Sequence, residues 1–244
     1  MAKERLDILV HEKGFAETRE KAQRLIRAGK VQVDGVPADK PGHKFDSGVN
    51  ITVSSPPDYV SRGGYKLAEA LRVFKIDVKG LICLDVGAST GGFTDCLLKN
   101  GADRVYAVDV GKGQISWALR NDHRVVVMEG INARYLSEND LPEKPQFACV
   151  DVSFISLKLI LPAMMPILAQ NADIVTLIKP QFEAGREQVG KGGVVRDPSV
   201  HEEVLEKIRT FGVNNLSVRW MDSCPSPIKG PAGNIEFLAW WRKQ

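Results

Sequence analysis

Four charged residues stand in stretches that are otherwise apolar or rich in glycine. Lys66 follows "SRGGY", Asp151 interrupts "ACVDVSF", Lys179 ends the apolar run at 172–178, and Glu236 opens "IEFLAWW". Buried charges need partners, so two lysines and two carboxylates at one sheet edge could satisfy one another. The four residues are either two ordinary salt bridges, lysines that reach water, or a catalytic constellation.

A glycine-rich turn, "LDVGASTGGF" at 84–93, could hold a cofactor because glycines let a ligand approach the backbone closely. Its glycines depart from the G-x-G-x-x-G spacing of dinucleotide sites, and Asp85 would repel a pyrophosphate. The same carboxylate would attract the ammonium of S-adenosylmethionine. Asp109 ends the next strand, where an acid can accept hydrogen bonds from ribose hydroxyls. Asn132 could read an adenine edge or simply form a turn.

Methyl transfer to a hydroxyl would give the four charged residues a catalytic role. A ribose hydroxyl is a poor nucleophile at neutral pH, so something must accept its proton or stabilise the developing alkoxide. A lysine can do this when burial and a nearby cation lower its pKa. We expect Lys179 to lie nearest the hydroxyl, Asp151 and Glu236 to orient the lysines, and Lys66 to tune the charge.

The elements that must position these residues alternate from Leu81 onward. The pattern predicts strands in "LICLDVG", "RVYAVDVG", "VVVMEG", "FACVDVSF" and "DIVTLIKP", a final antiparallel pair in "LSVRWMD" and "IEFLAWWR", and helices at "GGFTDCLLKNG" and near 115–120, 157–169 and 198–211. This order implies an α/β fold with a doubly wound, mostly parallel, seven-stranded sheet. Such sheets bind ligands at the carboxyl ends of their strands.

A small α+β module precedes this domain. Helical spacing of apolar residues predicts one helix near 6–10 and a second from Thr18 to Gly29. Asp34-Gly35 predicts a hairpin and "VNITVSS" another strand, before "PPDYVSRGG" interrupts the pattern. We place the module at 1–58, a linker at 59–64 and the larger domain at 65–244.

Basic side chains on the second helix suggest a phosphate-binding surface. They are Arg19, Lys21, Arg24, Arg27 and Lys30. A solvated charged face explains the same pattern, so it suggests RNA binding without establishing it. Further candidate RNA contacts are Arg62, Arg186, Lys191 and Arg196. The last three lie in the loop at 183–198, which either closes over RNA or is a plain connector.

Composition excludes several classes of protein. The chain has 244 residues, a net charge of +3 and 43% hydrophobic residues, which is ordinary for a globular protein. No apolar stretch approaches the roughly 18–20 residues of a membrane helix, and the first residues lack the features of a secretory signal. The 4 cysteines have no CxxC or Cys/His clustering. We expect a cytoplasmic protein with no membrane association and no metal; the oligomeric state stays open.

In combination, these motifs resemble a known family. "TREKAQRLIRAGKVQVDG" is close to the core of the S4 RNA-binding domain, and the remainder resembles the FtsJ-like ribose 2′-O-methyltransferases. Together, "SRGGYKL", "LDVGASTGGFTD", "VDVSFISL", "LIKPQFE", "VGKGGVVRDP" and "GNIEF" are similar to the TlyA (hemolysin A) family of rRNA methyltransferases. The resemblance implies methyl transfer from S-adenosylmethionine to a cytidine ribose in ribosomal RNA or ribosomal subunits. It favours the large subunit, with which the shorter family members are associated.

The resemblance also assigns residues. The Lys-Asp-Lys-Glu tetrad of FtsJ-like enzymes matches Lys66, Asp151, Lys179 and Glu236. The cofactor residues that carry over are Asp85, Gly87, Ser89, Gly91, Asp109 and Asn132. Ser89 stands where the usual D-x-G-x-G pattern has its second glycine, so the backbone approach to the cofactor can differ there.

Other functions compete with this interpretation. A non-enzymatic S4-type RNA-binding or assembly factor with a vestigial cofactor site is the first, and the intact tetrad and Asp85 argue against it. A membrane-active hemolysin is the second, and no sequence feature supports it. A nicotinamide-dependent dehydrogenase is disfavoured by Asp85 and by the glycine spacing.

Overall fold

The computed structural model of the chain describes residues 3–54 and 57–244. The chain divides into an N-terminal unit, Met1–Pro57, and a C-terminal unit, Asp58–Gln244. Ser55 and Pro56, where the last predicted strand of the module ends and the proline-rich interruption begins, lie outside the described residues. Positions 59–64, predicted as a linker, belong to the C-terminal unit and include the start of a helix at Gly63.

The N-terminal unit contains two helices and short strands. They are β1 (Lys3–Arg5), α1 (Leu6–Glu12), α2 (Arg19–Arg27), β2 (Val31–Val33), β3 (Val36–Pro37), β4 (Lys44–Asp46) and β5 (Ile51–Val53). Thr18 caps α2 as predicted, because its hydroxyl accepts a hydrogen bond from the Lys21 amide at 3.2 Å. The hairpin between β2 and β3 turns at Asp34 and Gly35, which both have positive φ.

The apolar faces of α1 and α2 form the core of this unit, as their spacing predicts. Its fully or nearly buried residues are Leu6, Leu9, Val10, Ala22, Ile26, Val31, Val33 and Ile51. The strands form a pair, β1–β4, and a three-stranded sheet in the order β3-β2-β5.

The C-terminal unit is built on one seven-stranded sheet. Its strands are β6 (Ile82–Val86), β7 (Arg104–Asp109), β8 (Val125–Glu129), β9 (Phe147–Val150), β10 (Asp173–Ile178), β11 (Val218–Pro225) and β12 (Phe237–Lys243). Their order is β11-β12-β10-β9-β6-β7-β8, in which β6 to β10 run parallel and β12 runs antiparallel to both neighbours. The predicted mostly parallel sheet and final antiparallel pair are confirmed.

Helices cover the sheet. They are α3 (Gly63–Phe74), α4 (Gly92–Lys99), α5 (Trp117–Arg120), α6 (Leu157–Met164), α7 (Pro180–Glu183) and α8 (Pro198–Asn215), with short 3-10 turns at Ala133–Tyr135, Glu138–Asp140 and Arg186–Gln188. The predicted helix near 157–169 corresponds to α6, and the prediction that it reaches residue 169 is wrong. It ends at Met164 because Pro166 has no N–H to continue the hydrogen-bond ladder.

Side chains of the central strands alternate between two cores, one on each face of the sheet. On β6, Leu84 and Val86 belong to one core and Cys83 to the other. A sheet buried on both faces leaves its strand ends as the places where polar groups can reach solvent. In residues 3–54 and 57–244, no helix combines the length and the apolar character that crossing a membrane requires.

Candidate active site

The structure brings all four charged residues to one end of the sheet. Lys66 lies in the first turn of α3, Asp151 directly follows β9, and Lys179 directly follows β10. Glu236 directly precedes β12, whose first residue, Phe237, pairs with the last residue of β10. Parallel β9 and β10 end at the same edge and antiparallel β12 begins there, so the topology itself assembles the group.

The four residues form two close ion pairs. Lys66 Nζ donates to Glu236 Oε2 at 2.6 Å, and Lys179 Nζ lies 2.6 Å from Asp151 Oδ1. The side chains of Glu236 and Lys179 are buried, at 1% and 9% exposed, whereas Asp151 is half-buried at 20% exposed. Buried pairs of this kind cost desolvation free energy that their attraction does not always offset, so stability alone is a weak reason for them.

The Lys179 ammonium is oriented by Ser153, a residue that the sequence analysis did not predict. Its Nζ donates a hydrogen bond to Ser153 Oγ at 2.8 Å. The contact with Asp151 Oδ1 is close enough for an ion pair, but its angles fall outside hydrogen-bond geometry. The ammonium therefore keeps donor capacity beyond these two neighbours.

The glycine-rich turn between β6 and α4 is folded by positive φ angles. Gly87 has φ +88°, and a Cβ there would lie 2.3 Å from the Asp151 carbonyl oxygen. Gly91 has φ +98°, and a Cβ there would lie 2.3 Å from Leu119 Cδ1. Ser89 also adopts positive φ, at 48°. The turn packs against the segment that carries Asp151, so only glycine fits at position 87.

Asp109 ties the glycine turn to the end of β7. Its Oδ2 accepts from the Ser89 amide at 2.8 Å, and its Oδ1 accepts from the Gly111 amide at 2.7 Å. A carboxylate offers about four acceptor positions, so capacity for ligand hydroxyls remains. Asn132 follows β8, where its Oδ1 accepts from the Arg134 amide at 3.1 Å and caps a 3-10 turn.

Asp85 lies beneath the turn and is fully buried. Its Oδ2 accepts from Thr94 Oγ1 at 2.7 Å, while its Oδ1 has no hydrogen-bond partner in the described chain. Burial raises the pKa of Asp85 to about 7; the Thr94 hydroxyl opposes the shift, and the charge of Asp151 adds to it. An unpartnered oxygen on a buried carboxylate is a position where a cationic group would be stabilised.

Two cavities open around these groups. The large cavity, of about 1180 Å³, is bounded by Asp109, Asn132 and the segment 151–156. The small cavity, of about 330 Å³, is bounded by Lys66 and by residues 61–63, 87–90, 228, 229 and 231 among others. The two share Gly87, Ser89 and Asp151 as walls.

The shared wall places one member of the tetrad at the junction. Asp151 lines both cavities, Lys66 lines only the small one, and Lys179 lines neither. The tetrad therefore presents Asp151 to the junction, with Lys179 behind it. A group bound in one cavity and a group bound in the other would meet beside Asp151.

Glu183 fixes the segment between Asp151 and α6. Its carboxylate accepts from Ser156 Oγ at 2.6 Å and from the Leu157 amide at 2.7 Å. Burial raises the pKa of this carboxyl. Because Glu183 ends the short helix that follows Lys179, these bonds hold the Lys179 and Asp151 segments together. Sequence reasoning missed Glu183, since no pattern in the chain shows that the two segments are neighbours.

The loop at 183–198 is anchored. Asn234 is 2% exposed, and its side chain donates to the Gly193 carbonyl at 2.8 Å and accepts from the Val195 amide at 2.9 Å. Gly190 and Val194 form a β-bridge. The loop is therefore tied to the residue two positions before Glu236; that it closes over RNA stays a prediction, as does the alternative of a plain connector.

The basic residues of this loop are exposed at different places. Arg186 lines the large cavity, whereas Lys191 and Arg196 lie outside both cavities. Arg62 is exposed and lines the small cavity.

In the N-terminal unit, the basic residues of α2 divide into two groups. Arg19 donates to the fully buried Asp7 at 3.0 Å, and Lys21 pairs with Glu17. Arg24 and Arg27 are exposed and take part in no ion pair in the described part of the chain. Lys30 is half-buried at the start of the hairpin.

The described residues contain no cluster of three or more His, Cys, Asp or Glu side chains that could hold a metal ion.

Comparison with known proteins places both units in families. The family model described as FtsJ-like methyltransferase matches residues 59–243, and that of the S4 domain matches residues 4–51. A candidate rRNA methyltransferase of Bacillus subtilis, YqxC, is 54% identical over 97% of this chain and 84% of its own length. The 16S/23S rRNA (cytidine-2′-O)-methyltransferase TlyA of Mycobacterium tuberculosis is 45% identical over 98% of this chain and 90% of its own.

A solved structure extends the likeness to three dimensions. A candidate hemolysin from Streptococcus thermophilus is 50% identical and has a TM-score of 0.77, over 100% of this chain and 90% of its own. Matches of this extent cover both units. The chain belongs to the TlyA (hemolysin A) family, in which an S4 domain precedes an FtsJ-like methyltransferase domain.

Proposed function

We propose that this protein transfers a methyl group from S-adenosylmethionine to the ribose 2′-hydroxyl of a cytidine in ribosomal RNA. The observation that carries the proposal is the junction of the two cavities at Asp151, with the ion pairs of the tetrad around it. The relatives named as cytidine-2′-O-methyltransferases support the choice of acceptor.

The residues around the large cavity fit S-adenosylmethionine. Gly87 and Ser89 of the turn line this cavity, and Asp85, which lies fully buried beneath the turn and lines neither cavity, keeps one oxygen without a hydrogen-bond partner among the described residues. We assign Asp109 to the ribose hydroxyls, Asn132 to the adenine edge, and Asp85 to the ammonium. Gly91 and Ser89 shape the turn. When bound, this cofactor supplies an electrophilic methyl group on a sulfonium.

The tetrad would prepare the acceptor oxygen. Asp151, on the wall of both cavities, is placed to accept a hydrogen bond from the 2′-hydroxyl and orient it. Lys179 Nζ, 2.6 Å behind the carboxylate, supplies the positive charge that stabilises the oxygen as its proton passes to Asp151 and the oxygen takes the methyl group. Lys66 adds a second cation from the small cavity, and Glu236 holds it there. Much of the catalysis is positioning, because the oxygen must lie in line with the bond that breaks.

Binding of RNA is assigned to both units. The matched S4 domain and the exposed cations Arg24 and Arg27 support phosphate contacts from the N-terminal unit. Arg19, Lys21 and Lys30 remain candidate contacts, although the first two are partly engaged with carboxylates. In the C-terminal unit the proposed contacts are Arg62, Arg186, Lys191 and Arg196.

A methylation assay tests the proposal. Purified protein would be incubated with labelled S-adenosylmethionine and separately with small subunits, large subunits and free rRNA, and labelled nucleotides would be mapped. We expect 2′-O-methylcytidine, and a fall in kcat of about 10²–10⁴-fold in Lys179→Ala. Lys79→Ala, which precedes β6 at the opposite end of the sheet, is the matched control. Full activity in Lys179→Ala would overturn the assigned role, and absence of any labelled ribose would overturn the function.

A non-enzymatic assembly factor predicts a different result. Calorimetry with S-adenosylmethionine would then show weak binding or none, and Asp85→Asn would leave that affinity unchanged.

A further inference from the structure

The small cavity contains more positive charge than the proposed chemistry needs. Its walls include Arg62, Lys66 and Lys229, against the single carboxylate of Asp151. Glu236 neutralises Lys66, and Lys179 neutralises Asp151. Arg62 and Lys229 are exposed, and among the residues that the structure describes neither takes part in an ion pair. Two cations without counterions therefore face the same small space.

The backbone holds both of these cations in place. Arg62 stands at the start of α3, where Ser61 Oγ accepts from the Gly63 amide at 3.3 Å. A Cβ on Gly92 would lie 2.2 Å from the same Ser61 oxygen, so the starts of α3 and α4 are in tight contact. The positive ends of two helices of 12 and 8 residues thus lie beside the cavity.

Lys229 sits on an anchored turn before β12. The Gly230 amide donates to the Asn234 carbonyl at 2.9 Å, and the Ser226 amide donates to the Glu236 carbonyl at 2.8 Å. A Cβ on Gly230 would lie 2.6 Å from Glu236 Oε1, so the turn packs directly on the tetrad. Lys229 is therefore held beside the tetrad by the chain that carries Glu236.

The structure of the acceptor nucleotide indicates a role for the positive charge of Arg62 and Lys229. In RNA the 2′-hydroxyl and the 3′-phosphodiester are on adjacent ribose carbons. If the hydroxyl lies at the junction beside Asp151 and the methyl donor fills the large cavity, a 3′-phosphate on the side away from the donor would enter the small cavity.

We propose that the small cavity is the subsite for the 3′-phosphodiester of the acceptor nucleotide, held by Arg62 and Lys229. This inference rests on the proposed function, because it takes a ribose 2′-hydroxyl as the acceptor. Fixing the phosphate on one side and the methyl donor on the other leaves the ribose little freedom to rotate its hydroxyl away. Arg62 and Lys229 are binding residues here and take no part in proton transfer.

Charge-removing variants test the subsite. Arg62→Gln and Lys229→Gln would be compared with Arg219→Gln and Lys79→Gln, which lie at the opposite end of the sheet and line neither cavity. We expect each cavity variant to raise KM for the RNA substrate about tenfold, with kcat changed less. The slope of log(kcat/KM) against log salt should become shallower by about 0.7 per cation removed, the value for a single-strand phosphate. Calorimetry should give the same affinity for S-adenosylmethionine in all four variants.

Direct binding separates failure of this inference from failure of the function. Fluorescence anisotropy with labelled rRNA, at several salt concentrations and with S-adenosylhomocysteine present, needs no turnover. Wild-type methylation together with KM and salt slopes in Arg62→Gln and Lys229→Gln that equal those of the controls would overturn the subsite alone. Absent methylation, together with RNA affinity that falls only in the two cavity variants, would overturn the function and keep a phosphate site. No RNA binding by the wild type would overturn both.

Discussion

Lys66 Nζ and Glu236 Oε2 meet at 2.6 Å although 170 residues separate them in the chain. Glu236 is almost fully buried and Lys66 is nearly so. The attraction between the two charges therefore offsets part of the hydration free energy that each loses on burial. This pair joins α3 to the start of β12, and its Lys66 lines the small cavity. It must therefore influence both the stability of the fold and the chemistry of the site, and the two effects can be separated.

Removing one partner of this pair should damage both properties. Glu236→Gln leaves a buried ammonium without a counterion, so we expect the free energy of unfolding to fall by about 3 kcal/mol. We expect methyl transfer to fall by at least about 10²-fold. The double variant Lys66→Met/Glu236→Gln, which removes both charges, should recover much of the stability and none of the activity. Urea unfolding measures the stability, and kcat measures the activity.

The exposed pair Arg72–Glu69 is the control for this prediction. Glu69→Gln should leave both unfolding and methyl transfer unchanged, because exposed pairs contribute little. Recovery of activity in the double variant would show that the Lys66–Glu236 pair is only structural.

Gly87 should be far less tolerant of substitution than Gly80, another glycine with positive φ. Gly87 and Gly80 have φ +88° and +73°, but a Cβ at Gly87 would lie 2.3 Å from the Asp151 carbonyl oxygen, whereas Gly80 has nothing within 4 Å. Gly80→Ala should therefore cost only backbone strain, about 1–2 kcal/mol of unfolding free energy. Gly87→Ala should cost more and should lower methyl transfer at least tenfold by displacing Asp151. Equal unfolding free energies and equal kcat in the two variants would contradict the close packing.

Asp85 should make the protein less stable as the pH rises. The folded state holds the proton to about pH 7, whereas the unfolded chain releases it near 3.8, so the folded state binds more protons between these values. The contribution of Asp85 to the free energy of unfolding is therefore complete at the acid end of this window and lost as the pH rises through about 7. Asp85→Asn imitates the protonated form, so it should match the wild type at pH 4 and exceed it in stability at pH 8.

The same carboxylate should make cofactor affinity depend on pH in the opposite sense. A ligand ammonium favours ionised Asp85, so the wild-type affinity for S-adenosylmethionine should rise as the pH passes through about 7. Calorimetry from pH 6 to pH 8 should show this rise in the wild type and not in Asp85→Asn. A parallel pH dependence in the two proteins would remove Asp85 from the cofactor site.

Much of the fold could be predicted because its information is local. Apolar runs bounded by glycines gave the central strands, and parallel strand ends gave the shared edge for Asp151 and Lys179. Side chains alternate between the two faces of the sheet along β6, so Asp85 lies on the same face as Cys83. Both are buried there, below the glycine-rich turn. Partners that are distant in sequence, such as Glu183 for Leu157, could not be predicted, since only the folded chain makes them neighbours.

Asn234 shows how such a distant contact can be tested. Asn234 lies in the stretch "GNIEF", yet its role comes from hydrogen bonds to Gly193 and Val195, 41 and 39 residues away. Asn234→Ala should leave a carbonyl and an amide without partners and cost about 1–3 kcal/mol of unfolding free energy. The loop should then open, so trypsin should cleave after Lys191 faster than in the wild type.

The companion variant is Asn234→Asp, which can still accept from the Val195 amide but cannot donate to the Gly193 carbonyl. It should give cleavage intermediate between the wild type and Asn234→Ala. Asn214→Ala, at an exposed position near the end of α8, should cleave like the wild type. Because the anchored loop and the Lys229 turn meet at Asn234, the alanine variant should also raise KM for RNA while leaving S-adenosylmethionine affinity within about twofold. Unchanged cleavage at Lys191 in Asn234→Ala would mean that the loop is held by other contacts, such as the bridge between Gly190 and Val194.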